Sequence, residues 1–243
     1  HTSSYLINGE DRFEADKIEY KGDSVIISID LFNRAIKAKY TENSLNGKLI
    51  RVNSGNPDQR IPLNAEYGIS ERFPENGEVP SVSLDGTRDM EIGSSGNINR
   101  TVGIFGQNGS LVQGSILTTT GDYRFLEGVV HGNEFSLSSF GGSSPYLVQG
   151  KFNSDNSFEG VLVTTSRVVN IKGIRNQEAK LPDAYNITSL KEGYSSIEFS
   201  FPDLNGKNIS LSDPAYKDKI VIVSIMGSWC PNCLDENAFL SEW

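Results

Sequence analysis

A strand-and-turn rhythm repeats over the first 175 residues and leaves few architectures open to them. Ser24–Asp30, Ile36–Tyr40, Leu111–Leu117, Tyr123–Val130, Glu134–Ser138 and Phe158–Thr164 are short, rich in β-branched and aromatic residues, and mostly alternate between apolar and polar side chains. Alternation with period two buries one face of a strand and leaves the other in water. Asn46-Gly47, Asn108-Gly109, Gly121-Asp122, Gly132-Asn133, Gly141-Gly142 and Asp155-Asn156 punctuate these stretches with residues that tolerate the positive φ of hairpin turns. An antiparallel meander is the economical topology. Glycine also recurs inside the strands, in Leu45–Ile50, Leu111–Leu117, Leu147–Phe152 and Phe158–Val163. Such glycines commonly mark a bulge or bend where a sheet coils, which predicts a curled antiparallel sheet or a barrel-like arrangement. Residues 54–100, dominated by Gly, Pro, Asn and charges, read as long connections with short edge strands at Ser81–Leu84 and Met90–Ile92.

The alternation breaks between Asn176 and Tyr194, which divides the chain into a β-rich domain (1–180), a linker (181–194) and a second, smaller region (195–243). There Ile197, Phe199 and Phe201 alternate, Asn205-Gly206 offers a type I′ turn, and Ile209 and Leu211 alternate on the return, a hairpin pattern. Lys219–Met226 is apolar on both faces, as expected of a central strand covered on each side. Pro231 then opens a helix whose apolar stripe is Leu234, Ala238, Phe239 and Trp243.

Charge narrows the partners. With 31 acidic against 22 basic side chains the net charge is -9, so nucleic-acid backbones and anionic lipid surfaces are repelled rather than collected. No run of apolar residues reaches membrane-span length, and His1–Ser4 has neither the basic start nor the apolar stretch of a signal peptide.

The only two cysteines are Cys230 and Cys233. A bridge between them closes so short a loop that chain entropy offers little stabilisation. Cys-x-x-Cys after a buried strand and opening a helix reads instead as a redox motif. A first thiolate attacks a disulfide, and a second thiol one turn on resolves the mixed disulfide. Cys230 takes the first role and Cys233 the second. Pro231 suits the first helical position, where its missing N–H would have been unpaired anyway. The helix dipole, worth up to about 1 kcal/mol, lowers the Cys230 pKa by around one unit from about 8.5. Glu236, three residues after Cys233, would hold that thiol protonated or accept its proton; a solvated helix carboxylate is the other reading. Trp229 reads as a wall beside Cys230, with a place in the core as its alternative. The pair is also half a zinc site, but the only histidines, His1 and His131, lie in the other domain. A structural or silent pair is the remaining alternative. No metal or cofactor is called for.

Phe201–Leu211, Lys219–Met226 and Trp229-Cys-Pro-Asn-Cys233 together resemble the opening half of a TlpA-like thiol-disulfide oxidoreductase of the thioredoxin superfamily. The resemblance implies an α/β fold, exchange with protein thiols and disulfides through the two cysteines, and a periplasmic or envelope location behind a signal peptide or lipid anchor, commonly as a reductant. The redox donor is unassigned. Glu236 matches a glutamate carried after the motif, and Ser224 stands where a polar residue lies under the active site. Asn237-Ala238 departs from the usual apolar-then-proline pair. Thr118–Gly128 and Ala179–Asp183 resemble the β-rich domain that precedes some TlpA-like domains. Only ten residues follow Cys233, fewer than the rest of such a domain requires, so the second domain is expected to be incomplete, the chain a fragment and its own activity small. An envelope binding protein, with a ligand or partner held by the β-domain and a vestigial redox half, is the alternative function.

Overall fold

The computed structural model describes residues 4–52, 60–74, 76–94, 96–227 and 230–242. Strands β1 (Tyr5–Asn8) and β2 (Asp11–Glu14) form a hairpin. A five-stranded antiparallel meander follows: β3 (Lys17–Lys21), β4 (Ser24–Ile29), β5 (Arg34–Tyr40), β6 (Ser44–Arg51) and β7 (Ile61–Glu66). Then come β8 (Gly86–Ser94), β9 (Asn97–Asn108), β10 (Leu111–Thr118), the two-residue β11 (Gly121–Asp122), β12 (Leu126–His131), β13 (Glu134–Phe140), β14 (Pro145–Phe152), β15 (Phe158–Val163) and β16 (Val168–Arg175). Apart from β11, which hangs on β10, these pair in chain order, and β16 pairs back onto β8. The result is a closed, antiparallel, eight-stranded barrel.

A barrel of this size has an interior just wide enough for side chains to fill. Met90, Ile92, Phe105, Val112, Ile116, Leu126, Val130, Phe135, Leu137, Val148, Phe152, Phe158, Leu162 and Ile171 fill it, while Gln113, Glu127, Glu134, Lys151, Glu159 and Lys172 occupy the alternate, outward register. This apolar-in, polar-out alternation is the reverse of that in membrane-spanning barrels. Among the described residues no helix is long and apolar enough to cross a membrane.

The in-strand glycines do not mark bulges. Gly114, Gly150 and Gly160 sit in ladders whose register runs without a skip, at the inward positions between buried neighbours. Their work is volume. A Cβ on Gly150 would collide with the Phe135 ring, and one on Gly173 with the Phe158 ring. Phe135, Phe152 and Phe158 make three edge-to-face contacts with centroids 5.0–5.8 Å apart, so each ring is held by the others. Fully buried Arg88 closes the same end of the barrel. It donates to the carbonyls of Ser83, Leu84 and Asn156, and its guanidinium lies 5.4 Å from the Phe152 ring centroid. Burial, with Arg175 nearby, pushes its pKa below the ordinary arginine value.

Other expectations need correcting. Residues 54–100 are not mere connections: β8 and β9 are among the longest strands, and Ser81–Leu84 is not one. Apart from inward Arg88, their charges lie on the outward faces, while inward Thr101 and Gly103 hide the apolar alternation. Asn46-Gly47 lies inside β6, because the hairpin turns at residues 41–44, where Thr41 N–H donates to Ser44 O. The Asn108-Gly109 and Gly132-Asn133 turns form as expected, with Gly109 and Gly132 at φ 61° and 55°.

Hairpin and meander share a second core of Val25, Ile29, Phe32, Ile36, Ala38 and Leu49, against which Leu6, Phe13 and Phe140 pack. Fully buried Asn8 ties the hairpin to the barrel, its Oδ1 accepting from Phe140 N–H and Arg72 Nη2, each at 2.9 Å.

By its internal contacts the chain divides into two compact units, His1–Leu181 with Ser228–Trp243, and Pro182–Gly227. The second contains the hairpin β17 (Ser200–Pro202) and β18 (Asn208–Ser210). Its turn is a five-residue loop rather than type I′ across Asn205-Gly206, since Asp203 Oδ1 accepts from the N–H groups of Asn205 and Lys207. Lys219–Met226 is irregular, not the expected strand; Ile220 and Ile225 are each 97% exposed. A strand persists only where a neighbouring strand takes its N–H and C=O groups, and none of the described strands pairs with this stretch. The chain is mainly β, with a single α-helix among its described residues, α1 (Pro231–Ser241), and an α/β thioredoxin-like part is not seen among them.

Two measurements check this packing. Gly150→Ala is expected to cost about 1–3 kcal/mol in denaturant unfolding, because the ring cluster has no room to yield; an unchanged midpoint would show a slack interior. Tyr123 and Tyr146 make an edge-to-face pair at 4.9 Å, and burial raises both pKa values, Tyr146 adding to the rise at Tyr123. Folding favours the protonated phenols, so their contribution to stability is complete below the unfolded tyrosine pKa and is lost as pH rises through the folded values. Phenolate absorbance should show a late phase that Tyr146→Phe diminishes.

Candidate functional site

The first turn of α1 is organised by Cys230. It is the N-cap residue, with extended backbone (φ -99°, ψ 108°), and its Sγ accepts from Cys233 N–H at 3.3 Å. Its carbonyl accepts the first intrahelical bond, from Leu234 N–H at 3.1 Å. Pro231 occupies the first helical position, as its fixed φ and missing donor favour. Cys230 and Cys233 are joined by a disulfide, with Cα atoms 5.3 Å apart, and both residues are partly buried.

The helix start rests on the turn beside β11. Asn232 Nδ2 donates to Asp122 O at 3.2 Å, and a side chain on Gly121 would collide with Asn232. Arg124, at φ 59°, forms an ion pair with Asp235, and its own N–H donates to Asp122 Oδ1 at 2.9 Å. Leu234 packs against the core shared by hairpin and meander. The expected stripe is narrower than its spacing implied: Ala238 and Phe239 are exposed, Phe239 by 60%, and Trp243 lies outside the described residues.

Of the residues singled out in the sequence, Cys230, Pro231 and Cys233 come together at one helix end. Glu236 is exposed on the following turn. Ser224 is exposed in the irregular stretch of the other unit, and Trp229 lies outside the described residues. Cys230 also lines a cleft of about 380 Å³ that sequence reading missed altogether, together with Arg34, Arg51, Arg124, Asp122 and Tyr146. The signal was present in part: Arg34 and Arg51 face each other across β5 and β6, which follows once the turn between those strands is placed at residues 41–44. Among the described residues no cluster of three or more His, Cys, Asp or Glu side chains is arranged to hold a metal ion. Comparison with family models, curated proteins and solved structures gives no match to the chain.

Chemically, the arrangement holds two sulfurs one helical turn apart, with the Cys233 N–H directed at the first. On reduction, the Cys233 N–H and the helix dipole favour thiolate at Cys230 over Cys233. Alkylation of the reduced protein across pH, read by peptide mass spectrometry, should modify Cys230 first and set in below the ordinary thiol pKa of about 8.5. Prior modification of Cys233 would reverse the two roles.

Proposed function

We propose that the Cys230–Cys233 pair exchanges with partner disulfides, and that the chain works as a TlpA-like thiol-disulfide oxidoreductase of the bacterial envelope that reduces them. The observation that carries this reading is a disulfide set at the amino end of α1, with Cys230 Sγ held as the cap. A structural bridge has little to do there, since closing a loop of this length restricts the unfolded chain only slightly.

In the reduced form the Cys230 thiolate attacks one sulfur of a partner disulfide. The partner's S–S bond breaks, one partner sulfur leaves as thiolate, and a mixed disulfide forms. Cys233, deprotonated as it reacts, attacks Cys230 Sγ and releases the second partner thiolate. The Cys230–Cys233 bond is restored, two electrons pass to the partner, and a separate donor must return them. Glu236, one turn beyond Cys233, is assigned the resolving proton.

The alternative, a ligand held by the β region, finds no room inside the barrel, whose interior is occupied by the core. Any such ligand would sit on its outer surface.

With a small-molecule disulfide as partner, Cys233→Ser should accumulate a mixed disulfide through Cys230, visible by intact mass, whereas Cys230→Ser should not. Equal trapping by both variants, or by neither, contradicts the proposal.

A further inference from the structure

Arg34 and Arg51 stand directly opposite each other on β5 and β6, an arrangement in which like charges repel. Arg34 is only 8% exposed, and its Nη1 is buried without a hydrogen-bond partner among the described residues. Burial, with the charge of Arg51, pushes its pKa below the ordinary arginine value. A buried guanidinium left so is expensive unless an anion completes it. Both arginines line the cleft that Cys230 also lines. Arg124, with a side chain 12% exposed, stands on its wall already paired with Asp235. The carboxylate of Asp122 lines it too, but Asp122 Oδ1 already accepts the Arg124 N–H. Ser143 and Ser166 also line it, residues whose hydroxyls can donate to an oxoanion. This gathering of cations runs against a chain whose net charge is -9.

We infer that the cleft is a carboxylate subsite, in which Arg34 and Arg51 hold the acid group of a small thiol or disulfide while its sulfur meets Cys230. The inference rests on the exchange reading above and adds the substrate class. Guanidinium forks match a planar carboxylate in two parallel hydrogen bonds, and about 380 Å³ is at the small-molecule end of ligand sites. A substrate thiolate attacks Cys230 Sγ and breaks the Cys230–Cys233 bond, leaving Cys233 as a thiolate that takes a proton from water. A second substrate thiolate attacks the substrate sulfur of the mixed disulfide and frees Cys230. Two thiols become one disulfide, and the protein gains two electrons; the reverse direction reduces the acidic disulfide.

The test compares reduction of the oxidised protein by mercaptopropionate and by neutral mercaptoethanol at equal thiolate concentration and low salt. Mercaptopropionate should react about tenfold faster, as expected for charge-assisted hydrogen bonds made to the reacting molecule. Without a subsite the ratio should fall below one, because the net charge repels anions. Arg34→Gln should bring the ratio to about one or less, and Arg34→Lys, which keeps the charge but loses the fork, to an intermediate value. If Arg34→Gln fails to fold, Arg51→Gln serves the same purpose. Calorimetry with unreactive propionate supplies an independent reading: saturable binding that Arg51→Gln abolishes is expected. Reduction by both thiols at a ratio of one or less overturns the subsite and leaves the exchange reading standing. Reduction by neither thiol overturns the exchange reading and the inference with it, even where propionate binds.

Discussion

The interior of a closed eight-stranded barrel is a fixed volume, and its occupants must sum to it. Here the sum is met by setting phenylalanine beside glycine. The rings of Phe135 and Phe158 lie where side chains on Gly150 and Gly173 would otherwise be, and Gly103 and Gly114 yield in the same way to Phe105. The closed ladder satisfies the backbone on every strand, so the barrel has no edge of its own to protect. Buried Arg88 completes the same logic with hydrogen bonds, tying the approach to β8 to the β14–β15 turn.

The site inherits its place from that frame. The barrel positions the β11 turn, which meets Asn232 and pairs Arg124 with Asp235; the meander supplies the apolar surface under Leu234 and the arginines of β5 and β6. The helix start that caps itself on Cys230 is thereby fixed beside a cationic cleft, although no single segment of sequence contains both.

How much of this could be read in advance follows from the range of the interactions. Local signals were legible: the Asn108-Gly109 and Gly132-Asn133 turns, the helix opening at Pro231, and the pairing of Cys230 with Cys233 all depend on a few neighbouring residues. The inward glycines were noticed, but their meaning lay in rings and backbone of neighbouring strands, so they read as bulges. Asn46-Gly47 has hairpin chemistry, yet pairing on both sides of β6 draws it into a strand. Thr101 and Gly103 face inward without being large and apolar, which concealed β9. Lys219–Met226 shows the opposite failure: strongly strand-forming residues remain irregular where no ladder is offered to them. The cleft was illegible because the β5–β6 hairpin of Arg34 and Arg51, the turn that carries Arg124 and the helix start at Cys230 are three segments far apart in the chain.

The central claim is that Cys230–Cys233 is a working redox couple and not a brace. Equilibrating the protein in glutathione buffers, while following both thiols and the unfolding midpoint, tests it most directly. The account expects a reversible two-electron transition in which the cysteines change state together and the midpoint hardly moves. A disulfide that resists reduction until the protein unfolds would contradict it.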